Sequence, residues 1–478
     1  MTNDLLMRTA VDLVSDMAEG RLSAVDLMRA TLDRVAALNP SLNAIISLRD
    51  RDVLLREAAE KDAVPAEQRG PLHGLPLAAK DFVDVAGLPT RMGSPLTPKG
   101  PVKADDILAQ RMRAAGVIYI GKTNVPEFGY GSHTYNTVFG TTSNPYDITR
   151  SAGGSSGGAA VALATGMLAI ADGSDMMGSL RNPAGWNNVY GMRPSIGRLP
   201  GDIEGDVTLF PIVTNGPMAR NPRDLARLLD VQAGPDRRFP TLMAKENLAD
   251  VADIDLKGKR IGWLGDWGGA YGYEPGILAL CEQALKQFEA MGAAVTPLAP
   301  PFSAQAMWDS WMTLRGYVIA HKIGDLVRNP AHRAHIKPEA IWEAEFGFTV
   351  TADAVHKASV IRSDWFRKSA ALFAEFDALI LPSAQVWPFP KEWTWPKAIN
   401  GVEMDTYHRW MEVVVPASLA GLPAISIPAG FGDNGLPMGM QVIGQHGNDA
   451  AMLAIAQAWH RVTEWPNIRP PKIYLQYI

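Results

Sequence analysis

The sequence predicts an α/β fold in which helices cover both faces of a β-sheet. Short apolar runs of strand length alternate with segments of helical periodicity along most of the chain. The 478 residues are 47% hydrophobic and 20% charged, which is enough apolar material for a large core. Because no Pro/Ser/Gly-rich linker, internal repeat or low-complexity tract divides the chain, one large domain with an insertion is expected.

The first 40 residues predict a helical hairpin packed on the core. Residues 1–20 alternate apolar with acidic side chains, and they lack the basic start and continuous apolar run of a signal peptide. Ser23, with Asp26 three residues later, forms an N-cap pattern that opens a second helix towards Asn39 and Pro40. Two antiparallel helices are therefore expected before the first strand.

The next elements alternate between strands and helices, and all the strands are expected in one sheet. The predicted strands are AIISL at 44–48, PLAAK at 76–80, VIYIG at 117–121, KRIGWLG at 259–265, DALILP at 377–382, AISIPAG at 424–430 and MGMQVIG at 438–444. Helices are predicted near 105–115 and 448–462. The apolar run AAVALATGMLAIA at 159–171 predicts a buried helix followed by a buried strand.

The middle of the chain, from about 300 to 405, predicts a variable helical insertion near a substrate entrance. It is rich in tryptophan, with MWDSWM at 307–312 and VWPFPKEWTWP at 386–396. Trp387, Trp393 and Trp395 fit either a structural plug or the rim of a substrate channel.

Charge and cysteine content restrict the partners. The net charge is −5, and both signs are mixed along the chain. Neither a nucleic acid nor a membrane surface is therefore an expected partner, and a small-molecule substrate is expected instead. The one cysteine, Cys281, shares a predicted helix face with Ile277 and is expected to be a core thiol. A chain without an internal disulfide and without a long apolar run fits a cytoplasmic protein.

Two serines lie in two separate glycine-rich turns, and this pattern predicts a catalytic centre. Ser155 is part of GGSSGG, and Ser179 follows GSDMMG. Glycine beside a nucleophilic serine lets backbone N–H groups approach a reacting oxygen. GGSSGG lacks the Gly-Lys-Ser/Thr ending of a phosphate-binding P-loop, which disfavours that alternative.

A serine nucleophile needs a base, and lysine and histidine are both candidates. Lys80 ends an apolar strand, where burial lowers the pKa of an amine and produces a neutral base. Gly153 to Gly157 also match the G-x-S-x-G elbow of α/β-hydrolases, which would pair Ser155 with His446 or His460. The polar stretch before Ser155 is not the strand that an elbow requires. His332 and His335 lack a third metal ligand nearby, so no metal site is expected.

The chain resembles the amidase signature family. The motifs that carry this resemblance are GLPLAAKD around Lys80, GKTNVPEF at 121–128, NPYDITRSAGGSSGG at 144–158, GSDMMGSLRNPA at 173–184 and PASLAGLPAISIPAG at 416–430. The resemblance implies one amidase domain over residues 1–478, an α/β/α sandwich around a large mixed β-sheet. It also implies a serine amidohydrolase that cleaves amide C–N bonds through an acyl-enzyme, without metal or cofactor.

Residue by residue, the resemblance implies that Ser179 is the nucleophile, Ser155 the bridging serine and Lys80 the base. The peptide bond before the bridging serine, here Gly154–Ser155, is cis in the family. The implied oxyanion hole consists of backbone N–H groups from Met176, Met177, Gly178 and Ser179. The positions that match supporting residues of the two turns are Ser156, Asp175 and Arg181.

This chain departs from the family pattern at Met177, which replaces the first of two glycines before the nucleophile. Met176 and Met177 fit either core filling or an acyl pocket of adaptable shape. Tyr130 fits either a substrate contact or packing against the nucleophile turn. The motif around them resembles a branch that hydrolyses nylon oligoamides such as 6-aminohexanoate cyclic dimers, aryl amides or carbamates (urethanes), so bulky apolar amides are the expected substrates.

Three questions stay open at the level of sequence. The family also includes the glutaminase subunit of a tRNA-dependent amidotransferase, although the Trp-rich middle and the absence of a basic face favour a stand-alone enzyme. A monomer and a homodimer are both compatible with the composition, and carbamates and esters are further candidate substrates.

Overall fold

The computed structural model describes residues 5–201, 206–209 and 212–475. The strands are β1 (Ile45–Ile46), β2 (Pro76–Lys80), β3 (Ile118–Thr123), β4 (Tyr135–Asn136), β5 (Gly140–Thr141), β6 (Ile170–Asp175), β7 (Tyr190–Arg193), β8 (Thr214–Ala219), β9 (Arg260–Trp263), β10 (Ala294–Pro297), β11 (Ala378–Pro382), β12 (Ala398–Ile399), β13 (Val402–Glu403), β14 (Ala424–Phe431) and β15 (Pro437–Ile443). Each run predicted as a strand overlaps one of these strands.

The helices surround these strands. They are α1 (Ala10–Ala18), α2 (Ala24–Leu42), α3 (Arg51–Asp62), α4 (Ile107–Ala114), α5 (Gly157–Ala164), α6 (Arg181–Trp186), α7 (Pro222–Gln232), α8 (Ile277–Ala290), α9 (Ala304–Arg328), α10 (Pro330–Arg333), α11 (Pro338–Phe348), α12 (Ala352–Phe373), α13 (Val415–Ala420), α14 (Asp449–Thr463), α15 (Trp465–Ile468) and α16 (Lys472–Leu475). Short 3-10 helices occur at Leu5–Met7, Ala66–Gln68, Glu127–Gly129 and Arg409–Val414. The helices α4 and α14 and the pair α5–β6 confirm the corresponding predictions.

An eight-stranded mixed sheet forms the centre, with the order β10-β9-β11-β15-β14-β7-β8-β6. The strands β10, β9 and β11 pair in parallel, and every other neighbouring pair is antiparallel. Successive residues of β11 alternate between two apolar clusters, because Ile380 packs in one and Leu379 and Leu381 pack in the other. Helices therefore cover both faces, as the α/β/α prediction required.

The expectation of one continuous sheet is wrong at its first three strands. β1, β3 and β2 form a separate three-stranded sheet, in which β2 and β3 are parallel. β2 lies beside β6, but the backbone N–H of Lys80 donates to the Asp172 carboxylate at 3.1 Å. A side chain thus takes the place of a backbone acceptor, and the backbone ladder does not continue from β6 to β2.

The predicted N-terminal helices α1 and α2 are both present, and each buries one face. α1 packs against α7, and α2 packs mainly against α3. The carboxylate of Asp224 in α7 accepts the N–H groups of Ala10 and Val11 at 2.8 and 3.0 Å. These bonds satisfy donors at the start of α1 that have no partner within the helix.

The segment from about 300 to 405 is helical only in its first part. Helices α9 to α12 end at Phe373, and α9 packs against both α11 and α12. The strand β11 then runs through the interior of the eight-stranded sheet, so it does not belong to an insertion. Within the described ranges, no helix combines the length and the apolar character that a bilayer crossing requires.

Candidate active site

Lys80 lies at the end of β2, with its side chain in the interior. The strand is buried along its whole length, and Lys80 itself is 1% exposed. Its amine Nζ lies 2.8 Å from Ser155 Oγ, 2.8 Å from Ser156 Oγ, 3.0 Å from Ser174 Oγ and 3.2 Å from the Ser174 carbonyl oxygen. The sequence-predicted base therefore contacts the predicted bridging serine directly.

Burial lowers the pKa of the Lys80 amine to about 7, although the charges of Asp172 and Asp175 oppose this shift. No carboxylate accepts a hydrogen bond from the amine among the described contacts, and its neighbours are neutral hydroxyls and a carbonyl. Neutral oxygens compensate a buried charge less well than a carboxylate does. The site therefore favours a neutral amine near neutral pH.

Ser155 follows a turn that three consecutive residues of another loop hold in place. The Gly154–Ser155 peptide bond is cis, as the resemblance implied. Ser132 Oγ donates to the Gly154 carbonyl at 2.6 Å, and the backbone N–H and hydroxyl of Thr134 donate to the Gly153 carbonyl at 3.0 and 2.8 Å. Between them, His133 Nδ1 lies 2.7 Å from the hydroxyl of Ser151. The side chains of 132–134 thus fix the approach to Ser155.

The two serine turns are hydrogen-bonded to each other. Ser179 follows β6 and is 9% exposed, and Ser155 is 4% exposed. The backbone N–H of Ser156 donates to the Ser179 carbonyl at 3.3 Å. Ser156 also begins α5, but its hydroxyl contacts Lys80 instead of capping that helix. The predicted nucleophile, bridge and base are thus brought together in one buried site.

Asp175 fixes the start of the nucleophile turn through two buried arginines. Arg181 Nε and Arg193 Nη1 lie 3.0 and 3.2 Å from its carboxylate, and all three side chains are fully buried. Burial alone would raise the pKa of Asp175, but the charges of Arg181 and Arg193 outweigh it and hold that pKa below its usual range. Asp175 is therefore a permanent anion on which the turn is built.

The expected set of oxyanion donors needs one correction. The carboxylate of Asp175 accepts the backbone N–H of Gly178 at 2.8 Å. Because this N–H is already used, Gly178 is not available to a developing oxyanion. The N–H groups of Met176, Met177 and Ser179 remain as the candidates.

The side chains of the two methionines both contact α9. Met177 is 2% exposed, and its sulfur accepts the indole N–H of Trp311 at 3.2 Å. Met176 is half-buried, and its sulfur lies 2.9 Å from Arg315 Nη1. Met177 is thus part of an apolar core, whereas Met176 keeps an exposed side.

Tyr130 packs away from solvent, but its loop lies beside Ser155. The ring is 4% exposed and clusters with Ile319 and Ile323 of α9. A Cβ added at Gly129 would lie 3.4 Å from the Phe82 ring and 4.0 Å from Ser155 Oγ. The backbone next to Tyr130, rather than its ring, therefore borders the site.

The three tryptophans predicted as a plug or a rim have different settings. Trp387 is 9% exposed and its indole donates to the Pro275 carbonyl at 3.0 Å, which favours the plug alternative. Trp393 is 51% exposed and stacks on Phe389, whose carbonyl accepts the Ser151 N–H. Trp395 is half-buried beneath the Lys397 amine. Of the three, Trp393 alone has the exposure that a rim residue requires.

The histidine alternative finds no support in the geometry. His460 Nδ1 lies 3.1 Å from the Tyr190 hydroxyl, and His446 Nε2 lies 2.9 Å from the Ile196 carbonyl. No strand directly precedes Ser155, so the elbow geometry is missing. In the described part of the chain, no group of three His, Cys, Asp or Glu side chains could hold a metal ion.

Several contacts of the site had no sequence prediction. Ser174 contacts the Lys80 amine, and its position directly before Asp175 could have suggested this. Trp311 and Arg315 are four residues apart in a helix, which is an ordinary helical spacing with no functional signature. Their contacts with the turn depend on how α9 packs, and the sequence alone does not reveal that.

Comparisons with known proteins point to one family. A family model described as amidase matches residues 26–453. An acylamidase of Rhodococcus erythropolis is 32% identical over 469 residues, covering 97% of both chains. A glutamyl-tRNA(Gln) amidotransferase chain of Thermus thermophilus is 34% identical over 486 residues, covering 97% of this chain and 98% of that one.

Solved structures show the same fold. A bacterial aryl acylamidase of the amidase signature family superposes with a TM-score of 0.90 at 29% identity, covering 98% of both chains. The structure of 6-aminohexanoate cyclic dimer hydrolase complexed with substrate superposes with a TM-score of 0.83 at 25% identity, covering 98% of this chain and 100% of that one.

Proposed function

Because this chain belongs to the amidase signature family and is a hydrolase of amide C–N bonds, we propose that Ser179 is its nucleophile and that Ser155 and neutral Lys80 activate it. The observation that carries this proposal is the 2.8 Å contact between Lys80 Nζ and Ser155 Oγ in a buried site. Burial lowers the pKa of Lys80 to about 7, which supports a neutral base at physiological pH.

The contacts of the amine support a proton transfer from Ser155 to Lys80. A neutral amine has two N–H donors and one lone pair, and the Ser174 carbonyl can only accept a hydrogen bond. The lone pair is then free to accept the proton of Ser155 Oγ, while Ser155 takes the proton of Ser179 Oγ. Ser179 attacks the substrate carbonyl, and the backbone N–H groups of Met176, Met177 and Ser179 stabilise the oxyanion.

The same relay run backwards completes the reaction. Collapse of the tetrahedral intermediate breaks the C–N bond, and the proton held by Lys80 returns through Ser155 to the leaving amine. Water then attacks the acyl-enzyme, with Ser155 and Lys80 again taking the proton. Neither step needs a group beyond the chain, the substrate and water.

The substrates that we propose are bulky, apolar amides, with carbamates and esters as further candidates. The half-buried ring of Phe82 lies near Ser155, beside the loop at Gly129, and offers apolar surface to an aryl or alkyl group. The acylamidase, the aryl acylamidase and the cyclic dimer hydrolase that this chain resembles support the same class.

Alanine variants of the three residues test the proposal. On an acyl p-nitroanilide, Ser179→Ala should abolish turnover, and Ser155→Ala and Lys80→Ala should each lower kcat by at least about 10³-fold, in keeping with the non-additive behaviour of catalytic units. His460→Ala and His446→Ala serve as controls and should keep their activity. Near-full activity of Ser179→Ala, or loss of activity in a histidine control, would contradict the assignment.

A glutaminase subunit is the second candidate, because the Thermus thermophilus amidotransferase chain is as similar in sequence as the acylamidase. We favour a stand-alone enzyme located in the cytoplasm, as a monomer or homodimer, because the single cysteine excludes an internal disulfide and no basic face marks a tRNA partner. The purified chain should hydrolyse anilides without partner subunits. Activity on glutamine alone, and only with added subunits, would establish the alternative.

A further inference from the structure

Two residues of α9 reach the sulfur atoms of the nucleophile turn. Trp311 and Arg315 are one helical turn apart and face the same side. The Trp311 indole N–H points at Met177 Sδ at 3.2 Å, and Arg315 Nη1 points at Met176 Sδ at 2.9 Å. Both methionines belong to the turn between β6 and Ser179.

The two donors are themselves held in place. Trp311 is fully buried and packs in the same apolar cluster as Met177. Arg315 Nη2 donates to the Glu343 carboxylate at 3.0 Å and to the Tyr407 hydroxyl at 2.8 Å, and the Tyr407 hydroxyl in turn bonds Glu343. The edge of the guanidinium that faces Met176 is therefore fixed by α11 and by Tyr407.

No other anchor among the described hydrogen bonds reaches the side chains of the two methionines. The carboxylate of Asp175 takes the N–H groups of Gly178 and Leu180, which lie on the far side of the two methionines in the chain. Arg193 Nη1 lies 2.5 Å from the Asp175 carbonyl oxygen and 3.5 Å from the Met176 carbonyl oxygen, so it holds one end of the two peptide units that carry the Met176 and Met177 N–H groups. The two sulfur contacts are a second support, on the side-chain side of these units. Thioether sulfur is a weak acceptor, but a buried indole N–H without any acceptor is costly, so the contact is specific.

We propose that Trp311 and Arg315 are positioning residues that aim the oxyanion-binding N–H groups of the nucleophile turn by holding the sulfur atoms of Met177 and Met176. This proposal rests on the proposed function of Ser179. It gives α9 a part in transition-state stabilisation without any contact between Trp311 or Arg315 and the reacting atoms. It also gives a reason for methionine at a position where the family pattern has glycine.

A double-mutant cycle between Trp311 and Met177 tests the coupling. Trp311→Phe removes the N–H and keeps a ring, and Met177→Leu removes the acceptor and keeps the volume. We expect each variant to lower kcat on an acyl p-nitroanilide about 10-fold with KM within about 2-fold, as expected for misplaced donors. In the double variant the loss should stay near 10-fold, because the second change finds no contact left to break.

A tetrahedral inhibitor separates positioning from mere structural support. A trifluoromethyl ketone that accepts Ser179 Oγ forms an oxyanion in the same hole, whereas the aniline product does not. In Trp311→Phe, Met177→Leu and Arg315→Lys, the inhibition constant of the ketone should rise in parallel with the fall in kcat. The inhibition constant of the aniline should stay within about 2-fold of the parent value, because the aniline forms no oxyanion and does not use the misplaced N–H groups.

Trp459→Phe is the matched control. Its indole N–H is equally buried and donates to the Pro428 carbonyl at 3.0 Å, in the apolar cluster on the other face of the sheet. This variant should lower the Tm as Trp311→Phe does, with kcat unchanged. If Trp311→Phe does not fold, Met177→Leu alone must still show the kcat loss.

The proposal is overturned by additive losses in the cycle, by an unchanged ketone constant, or by a kcat of Trp311→Phe equal to that of Trp459→Phe. If one of these outcomes is found while Ser179→Ala is inactive, the positioning role fails but Ser179 remains the proposed nucleophile. An active Ser179→Ala would instead remove the proposed function itself.

Discussion

At the scale of single residues, the environment of one lysine amine decides the chemistry. Lys80 is surrounded by the hydroxyls of Ser155, Ser156 and Ser174, while the carboxylate of Asp172 is engaged by the backbone N–H of Lys80. The amine is thus buried without a direct ionic partner among the described contacts. A charged amine is disfavoured there, and a histidine is not needed as the base.

The rate of acylation should therefore depend on the protonation of Lys80. Its pKa is lowered to about 7, so the neutral, active fraction grows as the pH rises through 7. We expect single-turnover acylation by an acyl p-nitroanilide to rise between about pH 6 and 8 and then to level off. The residual acylation rate of Lys80→Ala should not show this rise between about pH 6 and 8. A profile that falls over this range would contradict a neutral lysine base.

The same shift predicts a pH-dependent stability difference. The folded pKa of Lys80, about 7, lies below the unfolded value, so the unfolded state binds more protons between those values. Stability from this group is lowest below pH 7 and is regained as the pH rises towards 10. Relative to Lys80→Met, the Tm of the parent protein should increase over this window. A constant difference would show that Lys80 titrates alike in both states.

Gly178 is the residue of the turn that tolerates no side chain. Its φ is +79°, and a Cβ would lie 2.1 Å from Asn182 Oδ1. Gly178→Ala should lower kcat at least about 100-fold, since a 1 Å displacement of catalytic groups costs that much. Gly258, with φ +78° and open space around its Cβ position, provides Gly258→Ala as a control for backbone strain alone. Equal activity of the two variants would contradict the steric argument.

At the scale of elements, sequence periodicity was sufficient for the strands and helices near the site. The apolar run at 159–171 became α5 and β6, and PLAAK became β2, because continuous burial and chain punctuation are local signals. The break between the two sheets was not predictable, since it depends on a long-range bond from Lys80 to Asp172. The contacts of Trp311 and Arg315 with the nucleophile turn were missed for the same reason.

The N-terminal helix α1 depends on a cap from another element. Asp224 of α7 accepts the N–H groups of Ala10 and Val11. Asp224→Ala should lower the free energy of unfolding by about 1 to 3 kcal/mol, because buried donors lose their acceptor. Since none of the described hydrogen bonds joins Asp224 to the serine turns, kcat at 25 °C should not change. Thermal unfolding and anilide turnover on the same samples check both statements, and a kcat loss without destabilisation would refute them.

At the scale of the whole molecule, the eight-stranded sheet connects two apolar clusters. Adjacent residues of β11 and β15 face opposite clusters, as Ile380 and Leu381 do. The same strands thus contribute side chains to both clusters. If one cluster unfolds, these strands lose the packing on one face, and the other cluster is destabilised as well. We propose that the chain is one domain and expect a single calorimetric transition that coincides with the loss of tryptophan fluorescence. Two separated transitions would indicate two folding units.

The residues proposed for catalysis were found from sequence because they lie in turns with glycine at fixed positions. Ser155 and Ser179 each follow such a turn, and Lys80 ends a strand. The surroundings of the site were harder to predict, because Trp387 and Trp393 share one Trp-rich run yet Trp387 is buried and Trp393 is exposed. Composition does not distinguish these positions, whereas packing does.

The most direct test of the central claim is to identify the serine that carries the acyl group. An aryl carbamate that acylates rapidly and deacylates slowly should leave a carbamoyl mass on the enzyme, and peptide mapping by mass spectrometry locates it. We expect the mass on the peptide that contains Ser179, in one copy per chain, and none on the peptide that contains Ser155. A label on Ser155, or labelling of Ser179→Ala at the parent rate, would contradict Ser179 as the nucleophile.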